Sequence, residues 1–332
     1  MNFEEILSNL RKKVYHPVYF LMGDEAYFID QISNFIASNV LDEAEREFNQ
    51  SVLYGKDVDV ATIISEAKRF PLMGSHTVVI VKEAQHVRKI ENLEPYLNNP
   101  LSSTILVICY KYKTLDKRKK FAKDIANKAV LFESKKLYDN KIPEWIQNYL
   151  SKNNYSIQHK ASYLLGEYLG ADLGKITNEL DKLMLIAPKD SEITAELIER
   201  NIGISKDFNN FELNNALGKR EILKANLIAK HFASNPKDNP LVVTIGVLFG
   251  FFQKTLLYHT LKDKSRNSAA ATLKINPFFV KDYELAARNY PKGKLVKVIS
   301  YLREYDLKSK GVDNVSMSEG ELLKELIYKI LH

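Results

Sequence analysis

Two hydrophobic rhythms divide the chain. Over roughly the first 130 residues, short apolar runs rich in β-branched and aromatic residues alternate with amphipathic stretches. The runs predict strands over 18–22, 52–54, 77–81, 104–109 and 129–132. Apolar positions three and four apart predict helices between them, as over 60–69 and 90–96. Such alternation argues for an α/β layer with a mainly parallel sheet. From Asp139 onward the strand signal fades. Pro143-Glu144-Trp145-Ile146 opens a helix, with Pro near the first turn where its missing N–H does no harm. Helical spacing continues over 161–169, 173–186 and 194–200. Gly203-Ile204-Ser205-Lys206-Asp207 reads as a linker. Further helices are predicted over 211–217, 221–232, 241–258, 278–288, 294–307 and 319–331, broken at Asn235-Pro236, Asn239-Pro240, Asn276-Pro277 and Tyr290-Pro291-Lys292-Gly293. There is no short-period repeat and no low-complexity tract. The expected organisation is an α/β domain over 1–138, a small helical domain over 139–206 and a helical domain over 207–332.

The first strand leads to the most telling turn. Val18-Tyr19-Phe20-Leu21-Met22 is followed by Gly23-Asp24-Glu25 and then by a helical stretch. A nucleotide-binding α/β protein places a glycine-rich loop here, with Lys for the terminal phosphates and Ser/Thr for Mg²⁺. This turn has one glycine, no Lys and no Ser/Thr, and Asp24 and Glu25 put negative charge where phosphate would sit. The pattern points to a nucleotide-binding fold that has given up its nucleotide and serves as a scaffold or partner-binding element.

Composition narrows the picture further. At 332 residues, with 45% hydrophobic and 27% charged residues, the chain is that of a multidomain globular protein. One cysteine, Cys109, lies in the run 104–109 and reads as a buried apolar residue; it excludes a disulfide framework and a Cys-rich metal site. The seven His residues lack metal-ligand spacing and none adjoins a carboxylate cluster, so no catalytic site, metal or cofactor is expected. Glu83 alone follows the strand over 77–81, and without a phosphate loop it reads as surface. Tyr301 and Tyr305, four apart on a helix, read as packing or interface residues. The N-terminal stretch has neither a basic region nor a continuous apolar run, and the longest apolar run, 241–252, is too short for a bilayer. A cytoplasmic location without membrane contact is expected. A net charge of +7 permits nucleic-acid contact without demanding it.

Two surface motifs stand out, each with two readings. In Phe70-Pro71-Leu72-Met73-Gly74, the residue before Pro71 is pushed out of the α region, so a helix ends and Leu72 and Met73 reach a tip. They either fold back into their own core or meet a partner's pocket, which would remove their contact with water. The densest basic run extends from Lys111 to Lys123 and includes Lys117, Arg118, Lys119 and Lys120. It reads either as a solvated helix face or as a salt-sensitive contact to a nucleic-acid backbone.

Domain order and local residues together resemble a known family. The chain is similar to the delta subunits of bacterial DNA polymerase III, the clamp-opening members of sliding-clamp loaders. The matching stretches are Leu21-Met22-Gly23-Asp24-Glu25 with its following helix, Phe70-Pro71-Leu72-Met73-Gly74-Ser75, and Thr114-Leu115-Asp116-Lys117-Arg118-Lys119-Lys120. Others are Asp172-Leu173 with Asn178-Glu179-Leu180-Asp181-Lys182-Leu183, Phe211-Glu212-Leu213 with Ala216-Leu217, Asn276-Pro277-Phe278, and Asp306-Leu307-Lys308-Ser309-Lys310-Gly311. Their order and spacing carry the resemblance.

The resemblance implies an AAA+-like α/β domain without a functional P-loop, a helical lid and a helical collar that joins other loader subunits. It implies a non-catalytic part of the DNA polymerase III holoenzyme, a DNA-directed DNA polymerase, that binds and opens the sliding clamp (beta subunit) for loading onto primed DNA. Leu72 and Met73 fall on the family's paired clamp-binding residues, with Phe70 beside them. The family often has an aromatic residue where Met73 stands, and a flexible Met can fill a similar pocket. Motor and delta-prime subunits and primer–template DNA are the other implied partners. The trans-acting Ser-Arg-Cys element of sister subunits is absent, so Arg118 is not given that role. Two other readings are an AAA+ ATPase with an atypical nucleotide site acting in replication or repair, and a delta-prime subunit. The latter typically keeps Ser-Arg-Cys and four zinc-binding cysteines, against which the lone Cys109 argues.

Overall fold

The computed structural model describes all residues except Met73, Ile204, Lys206, Asp207 and Val315. The chain forms two compact units, Met1–Leu137 and Tyr138–His332. In the first, the elements run α1 (Phe3–Arg11), β1 (Val18–Gly23), α2 (Ala26–Asn39), α3 (Glu43–Asn49), β2 (Gln50–Tyr54), α4 (Val60–Ala67), β3 (Thr77–Lys82), α5 (Glu94–Asn98), β4 (Thr104–Lys111), α6 (Lys120–Lys128) and β5 (Val130–Ser134).

All five strands are parallel, in the order β2-β3-β4-β1-β5. Strand β1 pairs on both sides, with Phe20 opposite Ile108 of β4 and Leu131 of β5. A strand covered on both faces must be apolar throughout, and β1 is buried along its whole length. Its period of two sorts the core into layers. Val18, Phe20 and Met22 pack with Val60, Ile63, Phe121 and Ile125 of α4 and α6, whereas Tyr19 and Leu21 pack with Ile6, Ile29, Ile32 and Ile36 of α1 and α2. Each such side chain contributes about 1.5–3 kcal/mol on burial. Cys109 lies fully buried in the second layer.

The second unit contains α7 (Ile142–Lys152), β6 (Ser156–Ile157), α8 (His159–Leu169), α9 (Leu173–Ile186), β7 (Glu192–Ile193) and α10 (Ala195–Ile202). It continues with α11 (Asn210–Lys219), α12 (Ile222–Ser234), α13 (Leu241–Tyr258), α14 (Arg266–Leu273), α15 (Val280–Asn289), α16 (Lys292–Ser309) and α17 (Glu319–Leu331). Helix α13 packs on α15 and α16, α12 on α17, and α11 on α15. With 18 residues of high mean hydropathy, α13 has the length and composition to cross a membrane. It is a core helix here, with Leu241, Thr244, Ile245, Leu248, Phe251, Phe252, Thr255 and Tyr258 buried.

Several expectations need correction. Helix α4 stops at Ala67, two residues before the predicted end at Arg69, with Lys68 as its C-cap ahead of the pre-proline residue Phe70. The stretch over 90–96 is a 3₁₀ turn (Ile90–Leu93) running into α5, where Pro95 stands in the first turn. The strand signal does not end at Asp139, because β6 and β7 form a two-residue parallel pair. Within the basic run, helix begins only at Lys120; the Asp116 carboxylate accepts the Arg118 backbone N–H at 3.1 Å, a local bond that competes with helix.

Candidate functional site

Two places in the first unit carry the chemistry that the sequence singled out. The first is the turn after β1. Gly23 has φ +126°, and a Cβ there would lie 2.0 Å from the Ser134 carbonyl oxygen of β5, so only glycine fits. The Gly23 N–H donates to the Lys113 carbonyl and the Asp24 N–H to the Ser134 carbonyl, both at 3.1 Å. Buried Glu25 is the N-cap of α2, and its Oε1 accepts the Tyr27 N–H at 3.1 Å. The amides a phosphate loop would turn toward its ligand are thus bonded to carbonyls and to a carboxylate. At the end of β4, Lys111 is paired with Asp30 of α2, its Nζ 2.6 and 2.8 Å from the two carboxylate oxygens. Glu83, after β3, is half-buried and left-handed at φ 52°.

The second place is the tip between α4 and β3. Phe70 is 75% exposed and Leu72 58% exposed, so neither folds back into its own core. Met73 lies outside the described residues. The tip's base is tied down. Glu66 of α4 pairs with Arg69 at 2.8 Å and accepts the Ser51 hydroxyl of β2 at 3.0 Å. The Arg69 bond, with help from Ser51, outweighs desolvation and holds the Glu66 carboxyl below the usual carboxylate range. The buried Asn49 side chain, at the end of α3, donates to the Leu72 carbonyl and accepts the Leu72 N–H, each at 2.7 Å. Gly74 continues the turn against this group, because a Cβ there would stand 2.7 Å from Glu45 Oε1 and 3.1 Å from Asn49 Nδ2. Phe48, beside Asn49 in sequence, is exposed as well. The sequence reading missed Asn49; its only trace was the glycine two residues beyond Leu72.

The basic run is exposed but not bare. Lys117 pairs with Glu133 at 2.7 Å, Arg118 makes two bonds to Asp116 at 3.0 and 2.9 Å, and Lys120 pairs with Glu94. Lys119 is exposed at the N-cap of α6. The structure brings the start of the run against the β1 turn, where the Tyr112 N–H donates to the Gly23 carbonyl at 2.9 Å. Among the described residues, no group of three or more His, Cys, Asp or Glu side chains is placed to hold a metal.

Comparison with known proteins gives this geometry its context. The family described as DNA polymerase III, delta subunit, matches residues 19–135, the span from β1 through β5. A DNA polymerase III subunit delta from Bacillus subtilis (strain 168) is 27% identical over 335 residues, covering 97% of this chain and 96% of that protein. The chain is thus similar to DNA polymerase III delta subunits, over residues 19–135 by the family match and over nearly its whole length by that relative. The solved Bacillus subtilis DNA clamp loader delta protein superimposes on this chain with a TM-score of 0.54 and 24% identity, covering 99% of each. A Thermotoga maritima RuvB structure aligns over 86% of the chain and 83% of its own at 11% identity, with a TM-score of 0.38. The expected fold class, an α/β domain with a parallel sheet followed by helical parts, is the one found.

Proposed function

We propose that this chain is a delta-type clamp-loader subunit that binds the sliding clamp through the tip at Phe70, Leu72 and Met73 and favours the clamp's open form, without hydrolysing ATP itself. The observation that carries the reading is Leu72, a large apolar side chain left 58% exposed while its N–H and carbonyl are both held by the Asn49 side chain. Leaving such a group in water is unfavourable, and a pocket on the clamp removes that penalty. Opening then follows by selection. If the tip fits the open clamp better than the closed one, binding shifts the clamp's equilibrium by the ratio of the two affinities.

The turn at Gly23, Asp24 and Glu25 supports a subunit that leaves ATP to motor-type neighbours. In this reading residues 139–206 act as a lid and 207–332 as a collar joining motor and delta-prime subunits. The run at Lys117, Arg118, Lys119 and Lys120 touches the phosphate backbone of primer–template DNA, and the chain works in the cytoplasm beside the chromosome.

Surface plasmon resonance between the purified chain and the sliding clamp of the same organism, without nucleotide, tests the proposal. The native chain should bind, and a Leu72→Ala, Met73→Ala double variant should lose more than ~2 kcal/mol of affinity while melting normally. Equal affinity in the double variant would refute the assignment of the tip.

A further inference from the structure

We infer that Asn49 is a positioning residue for the clamp contact, acting by holding the Leu72 backbone so that the Leu72 side chain is presented outward. The inference rests on the reading of Leu72 as a contact residue and adds the element that prepares it.

Asn49 is 2% exposed and sits where α3 passes into β2, 23 residues before Leu72 in sequence. Its planar carboxamide has one donor and one acceptor side, and both are used on the same residue: Nδ2 to the Leu72 carbonyl and Oδ1 from the Leu72 N–H, each 2.7 Å. This is the pairing that a neighbouring strand would offer, supplied by one side chain. Among its described residues, His76 packs edge-on against Tyr15, but backbone pairing is sparse. Pro71 has no N–H, and among the described residues no backbone–backbone hydrogen bond joins 70–72 or 74–76 to the rest of the chain. Gly74 also lies close to the same group, since a Cβ there would stand 3.1 Å from Asn49 Nδ2 and would require the Glu45 carboxylate to move. Leu72 and Gly74 therefore both lie against the Asn49 carboxamide.

Chemistry makes the residue hard to replace. Aspartate would accept the Leu72 N–H but set a carboxylate against the Leu72 carbonyl, and alanine offers neither bond. Without the bridge the segment samples many conformations, and apparent clamp affinity falls by the fraction of time spent in the competent one. That loss appears mainly as slower association, because an unprepared tip meets the clamp in the wrong shape more often.

The test uses the full chain and the sliding clamp, with Asn49→Ala and Asn49→Asp measured on native and Leu72→Ala backgrounds. We expect each Asn49 variant to bind the clamp roughly 5- to 50-fold more weakly on the native background, chiefly in the association rate, with little further loss on the Leu72→Ala background. Equal losses on both backgrounds, or native affinity in a folded Asn49→Ala protein, would overturn the inference. If an Asn49 variant fails to fold, amide hydrogen exchange of the native chain decides instead: the Leu72 N–H should be protected, and exchange at the rate of an open loop would sink the idea. Should Leu72→Ala itself bind like native protein, the clamp reading fails, whereas Leu72 protection still reports the bridge.

Discussion

Glu25 caps the helix that it begins, its buried carboxylate accepting the backbone N–H of Tyr27 at 3.1 Å. A helix N-terminus after a central parallel strand is a ready anion site, with unsatisfied N–H groups and the positive end of the helix dipole. Here the anion is part of the chain. With the Gly23 and Asp24 amides bonded to Lys113 and Ser134, an incoming phosphate would have to displace three bonds and face two acidic side chains. Mg-ATP titrated into the purified chain should give no saturable heat and no rise in melting temperature. A ligand at a hundred times its Kd would stabilise the fold by about 2.7 kcal/mol, an easily measured amount. Saturable binding would revive the reading of an atypical AAA+ ATPase.

Gly23→Ala should be among the most damaging single changes in the first unit. It forces an alanine to φ +126° and drives its Cβ to 2.0 Å from the Ser134 carbonyl, a backbone atom that cannot swing away. The expected loss exceeds ~3 kcal/mol in urea unfolding. Gly246→Ala is the control. That glycine lies within α13 with nothing near its Cβ direction, and the change should stabilise by up to ~1 kcal/mol. Similar effects at the two sites would show that the Ser134 contact does not constrain Gly23.

The basic run offers a test of the DNA contact. Lys117, Arg118 and Lys120 each have an acidic partner, in Glu133, Asp116 and Glu94. Exposed pairs of this kind are worth little and exchange readily for phosphate. Replacing Lys117, Arg118, Lys119 and Lys120 by glutamine should flatten the logarithmic salt dependence of DNA binding by the assembled loader by at least ~1, toward ~3 if all four reach phosphate. An unchanged slope would leave the run as a solvated surface.

How far the sequence could be read depended on the range of the interactions involved. Strands β1, β3 and β4 were legible because burial on both faces requires continuous apolar runs, and α9, α13 and α17 because their apolar residues recur every three or four positions. The pair β6–β7 left no signal, because two residues cannot display a period. In α6 the buried Phe121, Ala122 and Ile125 were hidden among lysines that dominate the composition. The bare turn at Gly23 could be read from residue types, but not the aim of Glu25 at Tyr27. The hold of Asn49 on Leu72 was invisible, since nothing local marks an asparagine whose partner lies 23 residues away.

The helical unit carries a charged cluster whose effect should depend on pH. Glu212 of α11 is 6% exposed and receives Lys160 of α8 at 2.7 Å and Lys224 of α12 at 2.5 Å, so it ties α8 to the later helices. Burial alone would push its carboxyl up, but hydrogen bonds and charge from the two lysines outweigh this and hold it below the usual carboxylate range. A carboxyl depressed in the folded state stabilises above its unfolded pKa of about 4.3, and that contribution is lost as pH falls through the folded value. Glu212→Gln should therefore cost roughly 1–3 kcal/mol at pH 7, and the gap between variant and native protein should shrink as the pH is taken below 4. Trp145 of α7 is the single tryptophan and lies in the same unit, so its fluorescence during urea unfolding reports on this part of the chain. If native and Glu212→Gln proteins lost stability in parallel from pH 7 to pH 3.5, the cluster would not be the source of the acid sensitivity.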